Sequence, residues 1–75
     1  MRMPLSMIGL RCKARVMALT GSDTVKKHLG ALGFVPGAVV TVVQISGGNM
    51  IIGIHDSRIA VNGDVTRHVM VEPLP

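Results

Sequence analysis

Aromatic residues are nearly absent from this 75-residue sequence, which has no tryptophan or tyrosine and a single phenylalanine, Phe34. Proteins that hold single-stranded nucleic acid stack successive bases on several aromatic rings, and one ring cannot make such a platform. Cysteine is equally scarce. Cys12 stands alone, so no disulfide forms within the chain, and a reducing, cytoplasmic location is expected. No run of about 18 apolar residues occurs, so no helix is expected to span a membrane. The opening stretch MRMPLSMIGL is faintly like a secretory leader. Arg11, Lys13 and Arg15 end it too early, and no cleavage site of small residues follows.

Acidic residues are limited to Asp23, Asp56, Asp64 and Glu72. All lie near expected turns or ends, where aspartate commonly shapes the backbone, and none is set up as a catalytic pair. The metal-ligating side chains are Cys12, His28, His55 and His68. No two are spaced i, i+3 or i+4, and no CxxC or HxxxH occurs, so no metal site is expected within one monomer and no cofactor is implied. Spacing does not exclude a Cys–His pair that meets in space, but nothing else in the sequence supports one. Gly47-Gly48 is no phosphate loop, because neither a lysine nor a helix follows it.

The sequence is instead rich in aliphatic residues. Hydrophobic residues make up 48% and charged residues 16%, a balance that excludes disorder. Residues 1–75 are expected to form one domain. A chain this short has room for one core and little space for a deep reaction cleft, so a binding protein is expected and not an enzyme. The net charge is +4, and six of the eight basic residues (Arg2, Arg11, Lys13, Arg15, Lys26 and Lys27) fall within the first 27 positions. Such asymmetry suits an acidic partner, or serves to solubilise a hydrophobic domain.

Short apolar runs broken by Gly, Asn, Asp and Ser predict a mainly β fold, a small and partly open barrel of about five strands. The first strand covers Lys13 to Leu19, with Ala14, Val16 and Ala18 on one face. Ser22 is a helix N-cap and Asp23 suits the positive helix end. The helix runs from Asp23 to Leu32, with Val25, Leu29 and Leu32 as its apolar stripe. Gly33 ends it, and Pro36-Gly37 forms a turn. Strands Ala38–Ile45 and Met50–His55 are joined by Ser46-Gly47-Gly48-Asn49. The run AVVTVVQI is apolar on both faces and reads as a strand covered on both sides. A loop at Asp56-Ser57 leads to Arg58–Val61. A turn at Asn62-Gly63-Asp64, with one helical turn after it, leads to the last strand, His68–Glu72, with Val69 and Val71 inward.

One stretch stands out. Lys26 and Lys27 open a helix that runs into an apolar turn, Leu32-Gly33-Phe34-Val35-Pro36-Gly37. Phe34 and Val35 either close one end of the barrel or leave part of the turn exposed as a docking patch. Here the chain, KKHLGALGFVPGAVVTVV, resembles the FeoA family. The start PLSMIGLRCKARVMAL and the end RIAVNGDVTRHVMVEPL are similar to that family as well, so the likeness covers nearly the whole chain. The departures are His28 in the helix, Ser46 to Met50 in the central hairpin, and Asn62-Gly63.

The resemblance implies an SH3-like barrel and a non-catalytic cytosolic protein that binds the FeoB ferrous iron transporter and adjusts uptake. It implies membrane association only through that partner. The expected contact face is Lys26, Lys27, Leu32, Gly33, Phe34, Val35, Pro36 and Gly37. Exposed strand edges and the apolar turn could support weak self-association. Two other readings are a domain like the C-terminal domains of iron-dependent repressors and a basic nucleic-acid-binding barrel. The first is disfavoured because no DNA-binding domain accompanies it, and the second because the aromatics are missing.

Overall fold

The computed structural model describes residues 1–75. Its elements are β1 (Met3–Pro4), a 3-10 turn (Leu5–Met7), β2 (Lys13–Leu19), α1 (Asp23–Leu32), β3 (Val39–Ser46), β4 (Asn49–Ile54), β5 (Ser57–Asn62), α2 (Gly63–Thr66) and β6 (Val69–Pro73). The six strands make one antiparallel sheet in the order β1-β6-β2-β3-β4-β5. Its edges, β1 and β5, do not pair, so the barrel is partly open. Bulges between Val16 and Ala18 and between Val42 and Gln44 bend the two long strands, which lets a single sheet curl round one core.

That core follows from strand alternation. Ala14 and Val16 on β2, Val40 and Val42 on β3, Ile52 and Ile54 on β4, Val61 on β5, and Val69 and Val71 on β6 all point inward and are buried. Leu29 and Phe34 reach the same cluster from the helix and its end, and Val25 and Leu32 pack against it partly buried.

Helix α1 has the bounds its sequence predicts, for the expected physical reasons. The Ser22 hydroxyl accepts a hydrogen bond from the Val25 N–H at 3.2 Å, which satisfies one orphan donor of the first turn. Gly33 ends the helix with φ at 107°, a left-handed conformation that costs glycine nothing. Asn62 caps α2 by accepting from the Asp64 N–H at 2.8 Å. The later strands are displaced from the expected bounds by about one residue, and the second hairpin turns at His55-Asp56.

Two expectations require correction. There are six strands, because Met3 and Pro4 pair with Val71 and Met70. The 3-10 turn after them drops Leu5 into the core, where it is fully buried beside Ile8. Nor is β3 covered on both faces. Val40 and Val42 are buried, but Val39 is 43% exposed. A single curled sheet has only one inner face, and nothing in the chain is layered over the outer face of β3.

Candidate functional site

The end of α1 and the turn after it are held by backbone geometry. The Gly33 N–H donates to Gly30 and the Phe34 N–H to Leu29, at 3.0 and 3.1 Å. This is the paired closure in which the second residue beyond the helix commonly packs against the last turn. Phe34 is that residue, and it is fully buried, as is Leu29. Val35, Pro36 and Gly37 then turn back out to solvent. The Ala38 N–H donates to the Val35 carbonyl at 3.0 Å, closing a tight turn with Pro36 and Gly37 at its centre. Gly37 there has φ at 93°, as a type II turn requires. The turn is pinned to β2 on both sides. The Gly37 N–H donates to Val16 and the Val16 N–H to Ala38, each at 2.8 Å.

The expected contact face therefore divides. Lys26, Lys27, Val35, Pro36 and Gly37 are exposed, and Leu32 and Gly33 are half-buried. Val35 presents 46% of its surface. Phe34 has to be removed from the face, because its ring is a barrel plug and cannot touch a partner without unfolding the helix end. The four metal-ligating side chains are not gathered: no group of three or more His, Cys, Asp or Glu is placed to hold a metal ion. His68 instead lies 3.3 Å from the Thr20 hydroxyl.

A second feature was not anticipated. On the outer face of the sheet lies an open groove of about 420 Å³. It is lined by Val39, Thr41 and Val43 of β3, Gly53 of β4, the His55-Asp56 turn, and Ser57 and Arg58 at the start of β5. Two signals in the sequence could have revealed it. AVVTVVQI carries apolar residues on the outward positions as well as the inward ones, and Gly53 interrupts an otherwise aliphatic strand, MIIGI, where a missing side chain leaves room for something to approach.

The curled antiparallel sheet around one aliphatic core, with a short helix capping it, defines an SH3-like barrel. The model of the FeoA domain matches residues 3–73, and the chain belongs to the FeoA family. A crystal structure of an iron uptake regulatory protein (FeoA) is 32% identical, covers 99% of both chains and superposes with a TM-score of 0.91. FeoA of Stenotrophomonas maltophilia, crystallised with zinc, is 26% identical over 93% of this chain and 89% of that one, with a TM-score of 0.82. It is described as a prokaryotic SH3 domain protein proposed to act as a bacterial ferrous iron transport activating factor. A manganese-dependent transcriptional repressor shares the fold alone, at 10% identity over 97% of this chain and 42% of that one, with a TM-score of 0.88. Among curated proteins none matches the sequence. No helix is long and apolar enough to cross a membrane.

Proposed function

We propose that this chain is a non-catalytic, cytoplasmic accessory protein of ferrous iron transport. It binds the cytosolic part of a FeoB-type transporter and modulates uptake by favouring one of the transporter's states, since contact alone shifts an equilibrium only through differential affinity. Family membership supports the setting. The observation that carries the docking reading is the half-exposed Val35 on a turn pinned to β2 by two hydrogen bonds. A rigid apolar knob loses little conformational freedom on binding. Lys26 and Lys27, exposed on the preceding helix, steer an acidic surface toward it. No nucleic acid is a partner, and the membrane is reached only through the transporter.

The lysines are expected to act on rate. Lys26→Glu with Lys27→Glu should slow association with the transporter's cytosolic domain by about tenfold at low salt. It should flatten the salt dependence and leave thermal stability unchanged. Stopped-flow or surface-based kinetics at several ionic strengths would measure this, and an unchanged association rate would remove the lysines from the face.

A further inference from the structure

Asn62-Gly63 is a chemically labile pair that the fold has two separate reasons to contain. Position 62 caps α2: its side-chain oxygen accepts from the Asp64 N–H at 2.8 Å, a task that suits asparagine. Position 63 approaches the tip of the β3–β4 hairpin, where its N–H donates to the Gly48 carbonyl at 2.8 Å. A Cβ on residue 63 would lie 2.9 Å from that same carbonyl oxygen, closer than real side chains come, so only glycine fits. Glycine after asparagine leaves the main-chain nitrogen uncrowded toward the asparagine side chain. That nitrogen can attack the Asn62 side-chain carbonyl carbon, forming a C–N bond and expelling the side-chain nitrogen as ammonia. Water then opens the resulting succinimide at either of its carbonyls, giving aspartate or isoaspartate. The net change is uptake of one water and release of one ammonia.

The same contacts hold this reaction off in the folded chain. Attack requires the Gly63 nitrogen to lose its proton and to swing into line with the Asn62 side-chain carbonyl. Asn62 is held extended, with φ −61° and ψ 140°, which turns that nitrogen out of the plane in which the ring closes. The Gly63 proton is engaged by Gly48, and the Asn62 side-chain oxygen by Asp64. Asn62 itself is exposed, so water and base have access once these contacts open. The opening needed is local. Gly47 and Gly48 form an exposed tip with φ at 55° and 80°, and a Cβ at either would meet nothing within 4 Å. A hairpin tip that stands clear of neighbouring side chains opens for far less free energy than the whole domain.

We propose that Asn62-Gly63 is a latent deamidation site, closed in the native chain by the Gly63–Gly48 hydrogen bond and opened when the hairpin tip detaches. The two products differ in consequence. Aspartate still accepts from the residue-64 N–H and caps α2, and it lowers the net charge by one. Isoaspartate adds a methylene to the main chain between residues 62 and 63, which displaces Gly63 from Gly48. It also disturbs α2, which packs against β4, β5 and the 3-10 turn and whose buried Thr66 hydroxyl donates to the Gly63 carbonyl at 2.8 Å. Conversion to isoaspartate therefore marks a chain in which this end of the barrel has opened, and keeps it open. The chemistry is that of the chain's own backbone and does not depend on which partner the helix-turn face meets.

The test is incubation of the intact protein at neutral pH, with peptide mapping by mass spectrometry for conversion at Asn62 and amide exchange for opening at Gly63. Asn49, the one other asparagine, precedes the bulky Met50 and serves as an internal control. In the folded chain Asn62 should convert at least about tenfold more slowly than in the blocked peptide Val-Asn-Gly-Asp-Val, since the native rate is the open-state rate scaled by the open population. In urea above the unfolding transition it should reach the peptide rate and outpace Asn49. Gly48→Ala forces a side chain into the left-handed region, which should raise opening by about tenfold. Conversion at Asn62 and exchange at Gly63 should then rise by the same factor while the far-UV circular dichroism is unchanged. If Gly48→Ala does not fold, urea concentrations below the transition of the wild type replace it, and the two rates should again rise together. Folded wild type converting at the peptide rate, exchange at Gly63 rising without conversion at Asn62, or Asn49 converting first in urea would overturn the proposal.

Discussion

Replacing Phe34 with alanine is expected to destabilise the domain by about 3–5 kcal/mol, the usual loss for emptying a buried aromatic site. A 75-residue domain has a total stability of roughly 4–11 kcal/mol, so this one change should bring the chain close to unfolding at physiological temperature. The size of the effect follows from position. The ring is fully buried, and it is the largest side chain in a core otherwise built of aliphatic residues. Its backbone is fixed by the Gly33 and Phe34 closure of α1, so the helix end cannot easily move in to fill the space. Urea unfolding followed by far-UV circular dichroism would measure it. A loss below about 1 kcal/mol would mean the ring is not the plug described here, and would return Phe34 to the contact face.

Leu29→Ala should be the next most damaging change, at about 2–5 kcal/mol. Leu29 is the one fully buried residue of α1, flanked on its stripe by Val25 and Leu32, which are only partly buried. Its loss should therefore loosen the whole helix from the sheet, and should show as early amide exchange through α1 before the strands open. Leu29 and Phe34 belong to one core cluster and are joined by a backbone hydrogen bond. The double variant should accordingly lose less than the sum of the two single losses, as neighbouring core sites do. Additive losses would place the two side chains in separate packing units.

The sequence exposed most of this architecture because its local signals agree with the global fold. Ser22, the Val25–Leu29–Leu32 stripe and Gly33 each specify α1 independently. Gly47-Gly48 specifies the β3–β4 hairpin, and Asn62 specifies α2. What escaped notice has physical reasons. Strand β1 is two residues long and one of them is proline, so it has no periodicity to read, and only pairing with β6 makes it a strand. Leu5 and Ile8 become core residues solely because that pairing brings them there. Phe34 was legible in principle: a helix ending in glycine places its next residue against the last turn, and that rule should have separated Phe34 from Val35. The outer groove needed tertiary information. Alternation along β3 shows two apolar faces, but not that only one of them has a partner layer.

The docking account stands on Val35, and the most direct test is its binding kinetics. The wild-type chain and Val35→Asp would be compared against the purified cytosolic domain of a FeoB transporter, with thermal unfolding recorded for both. Gly33, Pro36 and Gly37 are unsuitable probes, since changing them would unfold the turn and remove binding for an unrelated reason. The account predicts that the wild type binds, and that Val35→Asp unfolds at the same temperature yet dissociates at least about tenfold faster, because a charge is forced into the desolvated centre of the contact. A wild-type chain that does not bind at any ionic strength, or a folded Val35→Asp chain that dissociates at the wild-type rate, would contradict it.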